Sequence, residues 1–188
     1  MIDLNRAVGG ALLLALCMPV FGSARFPWRK PADSWTREDA VRILTNSPWA
    51  QSPKQRFIVR WEDALPIQQA LAKVGAEPAI AAGSPYYAVA VVVPPQARLQ
   101  DWTKARASLT TGGNSSTFSE VRTSTQYGMQ VVIFLFPKTI KIGEPASFRL
   151  PFVTIHSRVI EFRAHTDTFE IKQAFPLQDL YYLGRFEI

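Results

Sequence analysis

The sequence predicts an α+β fold, with N-terminal helices packed on an antiparallel-rich β-sheet and a β-hairpin near the C-terminus. Three observations predict it. Capped segments with helical apolar spacing lie in the first two-thirds of the chain. Tyr86–Val93 is a short, β-branched apolar run of the kind that forms a sheet centre. From Phe118 onward the chain reads as a succession of strands, the last two of which complement each other in sequence.

The first 24 residues read as a cleavable secretory leader. Arg6 lies in a short polar start, Ala7 to Phe21 is apolar, and Gly22-Ser23-Ala24 supplies small residues where a signal peptidase reads. Cleavage is expected between Ala24 and Arg25. A retained membrane anchor needs roughly 18 or more uninterrupted apolar residues, and this run contains Gly9, Gly10 and Pro19. Lipidation at Cys17 is disfavoured because Leu16, just before it, is not small. Residues 25–188 then form a single α+β domain with no transmembrane segment. They contain no cysteine, since Cys17 is the only one in the chain. Their stability has to come from an ordinary apolar core.

An extended segment is expected over residues 25–33, which are rich in Pro and charge. Thr36 and Asp39 have capping-box spacing and open a helix, with Val41 and Leu44 on its inner face. Asn46-Ser47-Pro48 stops it, because a residue before Pro is pushed out of helical space. Residues 55–61 alternate, placing Phe57, Val59 and Trp61 on one face of a half-buried strand and Arg56 and Arg60 on the other. Pro66 suits a helix start. Ile67, Ala70, Leu71 and Val74 follow at helical spacing, and Gly75 ends the helix. Residues 55–93 are compatible with one β-α-β crossover, which would make the sheet mixed. A third helix is expected over residues 97–108, with Leu99 and Trp102 inward.

Thr110 to Thr117 reads as a flexible loop from its Gly-Gly-Asn-Ser-Ser composition. Strands are then expected at 118–125, 129–136 (central in its sheet), 147–155 (broken), 159–164 and 169–175. For the last pair, matching apolar to apolar and charge to opposite charge sets Phe162 opposite Ile171, and Ala164 opposite Phe169. It also sets Arg163 opposite Glu170, and Glu161 opposite Lys172.

No reactive constellation emerges, and no catalytic, cofactor-binding or metal-binding residue is assigned. His165 and Asp167, two apart in a turn, offer at most two of the four ligands a structural zinc takes; His156, the only other histidine, lies in a polar break. Gly83-Ser84-Pro85 leads into a strand rather than a helix, which is not the setting of a nucleophile elbow. Glu62 and Asp63 sit just before Pro66, where acidic residues favour a helix start, so capping accounts for them. Thr111-Gly112-Gly113-Asn114 lacks the Lys and Ser/Thr of a phosphate loop.

The aromatic residues are more informative. Four of the five tryptophans are Trp28, Trp35, Trp49 and Trp61. Trp61 belongs to a strand face, Trp49 follows a helix stop, and Trp35 precedes a helix cap, so core packing explains these three. Trp28 is the one left open as a ligand contact, by stacking on a sugar ring or base.

The stretches Trp35-Thr-Arg-Glu-Asp-Ala40 and Ile43-Leu44-Thr-Asn-Ser-Pro-Trp49-Ala50 form one recognisable pattern with three others. These are Val59-Arg-Trp-Glu-Asp-Ala-Leu65, Tyr86-Tyr-Ala-Val-Ala-Val91 and Phe175-Pro-Leu-Gln-Asp-Leu-Tyr-Tyr-Leu-Gly184. The pattern spans most of residues 25–188. It resembles a group of uncharacterised exported bacterial proteins that share a tryptophan-bearing first helix ending in Ser-Pro-Trp and a β-rich C-terminal half. The resemblance implies export and one domain. The group has no assigned activity, so no functional residue carries over.

The formal charge is +6, and the leader's Asp3 and Arg6 cancel. A basic balance favours anionic surroundings, yet the cations are scattered and match no nucleic-acid motif. The reading that follows is an exported, non-enzymatic binding or structural module of the bacterial envelope, in the periplasm, on the envelope or secreted. It would have no cofactor, and its partner would be an envelope protein or an anionic polymer. Two alternatives stand beside it. One is a hydrolase of envelope polymers using two or more of Glu62, Asp63, Asp101, Glu120, Asp167 and Asp179 in one cleft. The other is a protein that binds an anionic polymer or nucleic acid.

Overall fold

The computed structural model describes residues 26–52, 57–81, 83–95, 99–112, 114–139, 142 and 159–188. The leader, the Ala24–Arg25 junction, Gln55, Arg56, Ala97, the 147–155 strand and His156 lie outside them. Among the described residues three helices, α1 (Arg37–Thr45), α2 (Leu65–Val74) and α3 (Leu99–Thr103), accompany eleven strands. The fold is α+β and rich in strand.

Two sheets carry the architecture. Strands β1 (Ala50–Gln51), β2 (Ile58–Trp61), β3 (Tyr86–Val93), β6 (Glu120–Gln126) and β7 (Met129–Pro137) form one, in the order β1-β2-β3-β7-β6. Strands β4 (Arg106–Thr111), β5 (Asn114–Thr117), β8 (Val159–His165) and β9 (Glu170–Pro176) form the other, in the order β5-β4-β8-β9. Facing apolar side chains fuse them into one core, with Phe134 and Phe136 against Phe162, and Trp61 against Phe175. A short pair, β10 (Tyr181–Tyr182) and β11 (Arg185–Phe186), closes the chain.

The capping box forms as expected: the Asp39 backbone N–H donates to Thr36 Oγ1, and the Thr36 N–H donates to the Asp39 carboxylate, both at 3.1 Å. The buried stripe of α1 is Ala40, Ile43 and Leu44, whereas Val41 is 43% exposed. Leu44 can share a face with residue 40 or with residue 41; Ile43 decides for 40, because it extends that stripe. Helix α2 buries Pro66, Ile67, Ala70, Leu71 and Val74 and ends on Gly75 at φ 79°.

Five further expectations are corrected. The segment after Phe26 is not extended: it forms 3-10 turns at Pro27–Arg29 and Ala32–Ser34. Strands β2 and β3 pair antiparallel, as do all strand pairs among the described residues, so there is no crossover and no mixed sheet. Helix α2 leads the chain away and the stretch from Gly75 to Tyr86 returns it to the same end. The third helix stops at Thr103, because Ala105, Ala107, Leu109 and Thr111 are buried with a period of two, which is a strand's period. The expected 110–117 loop is a hairpin, β4 with β5, turned at Gly112 with φ 55°.

The fifth correction concerns β8 and β9, which pair as Ala164↔Ile171, Phe162↔Gln173 and Arg163↔Lys172, displaced by two residues from the expected register. The shift arises because the turn is centred one residue further along the chain than expected, on Asp167-Thr168. The Thr166 N–H donates to the Phe169 carbonyl at 2.8 Å, and the Phe169 N–H donates to Thr166 Oγ1 at 2.9 Å. A displacement of two keeps every side chain on its face. Ile160, Phe162, Ala164, Ile171 and Phe175 therefore remain buried. The like charges now set opposite, Arg163 and Lys172, share the Glu161 carboxylate, one on each oxygen.

Both faces of the five-stranded sheet are buried. Val59, Trp61, Val89 and Val91 face the shared core, while Ala88, Ala90, Val131, Ile133 and Leu135 form a second cluster with Ile80. This accounts for the unbroken apolar run of β3. It also removes the solvated face expected for Arg60, which is fully buried. A buried cation needs a counter-charge. Glu62, two residues on and on the same face, provides it at 2.8 Å from Arg60 Nε.

Candidate functional site: a cleft beside Trp28

A cleft of about 710 Å³ opens beside Trp28. Its N-terminal wall follows from local chemistry. Pro27 is buried, and its neighbours Phe26 and Trp28 are half-buried, with ring centroids 5.3 Å apart. The turn is fixed from behind by Trp35, whose indole N–H is shared between the carbonyls of Pro27 (3.0 Å) and Lys30 (3.1 Å). Lys30 Nζ then pairs with Asp39 at 2.8 Å, tying the segment to the first turn of α1. Arg29 lies over the Phe26 ring at 4.8 Å.

The remaining walls come from distant stretches. Asn46, Ser47 and Pro48 follow α1, Gln51 and Ser52 belong to the β1 edge, Gln173 comes from β9, and Gln178, Asp179 and Tyr181 come from the C-terminal turn and β10. Gln173 Nε2 donates to Gln51 Oε1, linking the edges of the two sheets. The C-terminal wall is anchored inward: Tyr182 packs against Trp35 and Trp49, and the Trp49 indole N–H donates to the Glu187 carbonyl at 2.7 Å. The cleft is therefore lined by aromatic rings and side-chain amides. Among the described residues its one cation, Arg29, and one anion, Asp179, cancel formally.

The acidic candidates are dispersed. Glu62 is fully buried in a closed cluster: Arg60 Nε donates to it, Gln126 Nε2 donates to it, and Arg60 also donates to Gln126 Oε1 and, at 3.3 Å, to the Tyr127 hydroxyl. Asp63 accepts from the Ala88 N–H at 3.2 Å and lies 3.5 Å from Lys138 Nζ. Burial pushes its carboxyl up to about 6, with the Ala88 N–H and Lys138 opposing the rise. Neither residue caps α2, whose N-cap is Ala64 with no side-chain bond. The capping reading is therefore corrected: the charges go to partners across the sheet.

Glu120 is an exposed partner of Arg122. Asp179 lines the Trp28 cleft. Asp101 and Asp167 do come together, lining a second recess of about 570 Å³ with Lys104, Arg106 and His165. Among the described residues no group of three or more His, Cys, Asp or Glu is placed to hold a metal ion, and no helix is long and apolar enough to cross a membrane.

Trp35, Trp49 and Trp61 are core residues, as expected, and Trp28 lines the cleft. The amides opposite Trp28 were not foreseen. Polar residues at strand edges and turns carry no periodic signal, and only the tertiary fold gathers them. No family model, curated protein or solved structure matches the chain.

Proposed function

We propose that the protein is an exported, non-enzymatic binding module of the bacterial envelope, related to the exported group its sequence resembles, with the Trp28 cleft as its ligand site. The observation that carries this reading is the pairing of half-buried Trp28 and Phe26 with amide side chains across one cleft. Concave sites with apolar platforms and a few convergent polar groups are where ligands bind. The cleft holds one carboxylate, too few for acid–base hydrolysis by a carboxylate pair. The leader, cut between Ala24 and Arg25, would deliver the protein across the membrane.

Residues 25–188 should co-sediment with isolated envelope fractions, and Trp28→Ala should abolish this while leaving the melting temperature within a few degrees. Unchanged co-sedimentation of the variant would remove the cleft from the account.

The second recess favours one competing reading, a hydrolase acting through Asp101 and Asp167. Both line that recess beside Lys104 and Arg106, and Asp167 is exposed, without the desolvation that tunes a general acid. Turnover of an envelope polymer that is lost in both Asp101→Asn and Asp167→Asn would establish it. The anionic-polymer reading has less support, since the charges of the described residues lining the Trp28 cleft balance.

A further inference from the structure

We infer that the ligand of the Trp28 cleft is an uncharged glycan chain of pyranose rings, an inference that rests on the cleft being the binding site. A pyranose presents an apolar C–H face and a rim of hydroxyls, each of which both donates and accepts. The negative face of an aromatic ring attracts the polarised C–H groups. Trp28, Phe26 and Tyr181 line the cleft, with one face of Phe26 already covered by Arg29.

A side-chain amide carries a planar acceptor and two donors, so it can bridge neighbouring hydroxyls as a single charged group cannot. Asn46, Gln51, Gln173 and Gln178 supply four amides. Gln51 and Gln173 are aligned by their mutual hydrogen bond; Gln173 Nε2 also donates to the Ala174 carbonyl at 2.8 Å and Gln51 Nε2 to the Pro48 carbonyl at 3.4 Å, which leaves Gln173 its acceptor oxygen and Gln51 one amide hydrogen and a lone pair for a ligand. Holding them this way lowers the entropy lost when a ligand orders them.

Charge narrows the class. The whole chain carries +6, but Arg29 and Asp179 balance within the cleft, and Arg29 is engaged over Phe26. A site for a polyanion or for single-stranded nucleic acid combines its aromatic platforms with a cationic groove, whereas among the described residues this cleft is lined by one cation and one anion. The size also fits: small-molecule sites span roughly 300–1,000 Å³, and about 710 Å³ lies towards the upper end, suited to several linked rings rather than one.

The test is affinity electrophoresis and titration calorimetry of residues 25–188 against four soluble probes: laminarin, chitohexaose, alginate and an unstructured peptide. Laminarin, chitohexaose or both should bind, with an affinity that changes less than about twofold between 50 and 500 mM salt. Trp28→Ala should weaken that binding about tenfold or more. Gln178→Ala, at an exposed position that leaves the core untouched, should weaken it several-fold and guards against misfolding of the first variant. Binding of alginate or the peptide alone, still sensitive to Trp28→Ala, would overturn the glycan assignment and leave the cleft as the binding site. Binding that neither variant affects, or no binding to any probe while envelope co-sedimentation persists in Trp28→Ala, would overturn both.

Discussion

Two polar clusters in this protein use similar side chains to opposite ends. Around Arg60, Glu62 and Gln126, the hydrogen-bonding groups are spent on one another inside the protein, and all three side chains are buried. Around Trp28, the amides of Asn46, Gln51, Gln173 and Gln178 stand at the rim of a cleft, where only part of their capacity is used. Gln126 and Gln51 are the same residue type. What separates them is how completely their partners satisfy them. A closed network holds a fold in place, whereas an open one retains groups for a ligand.

The largest expected effect strikes the closed cluster. Glu62→Ala strands the Arg60 guanidinium without its counter-charge and should cost about 3–5 kcal/mol in urea unfolding. Replacing Arg60 and Glu62 together by Met and Leu should recover most of that loss, since an apolar pair of similar volume serves a buried face as well. A small loss in the single variant would mean that the cluster is wetter than its burial shows.

The next effect belongs to Asp63, which stands between the two cases: buried, yet only partly satisfied. Its folded-state value of about 6 lies above the ordinary 3.8. The folded chain thus binds the proton more tightly than the unfolded chain, and stability contributed below pH 3.8 is lost as pH rises to about 6. The loss should total about 3 kcal/mol. Asp63→Asn should lack this loss, so the wild-type-minus-variant stability should fall across that window and the variant should be the more stable at pH 7.5. A variant that tracks the wild type at both pH 4 and pH 7.5 would show that Asp63 is solvated.

The sharpest contrast is also the smallest. Gln126→Ala leaves buried donors and acceptors of Arg60 and Glu62 unmet and should cost about 1–3 kcal/mol. Gln51→Ala, at a cleft rim, should cost no more than about 0.5 kcal/mol. Equal losses in paired urea melts would erase the distinction between the clusters.

Much of the fold was legible because its signals are short-range. The Thr36–Asp39 box, the Ser47-Pro48 stop, the α2 stripe and Gly75 each depend on residues within a turn or two. Strand β3 was legible from an apolar run that only a doubly covered strand tolerates. The register of β8 and β9 was misread by two residues because the turn is centred on Asp167-Thr168, one residue beyond where side-chain matching placed it. Face assignments survived, since burial repeats every second residue and a shift of two preserves it. The cleft was legible only at Trp28. Its other walls come from residues near 46–52, 173 and 178–181, whose proximity no spacing encodes.

The sequence by itself determined the α+β class, the ends of α1 and α2, and which tryptophans enter the core, because capping and apolar periodicity act between near neighbours. The tertiary structure alone decided that Arg60 and Glu62 lie inside, that the sheets are wholly antiparallel, and that four amides face Trp28. Those outcomes depend on contacts between residues as far apart as Gln51 and Gln173, and a polar side chain takes its role from whatever partners the fold leaves within its reach.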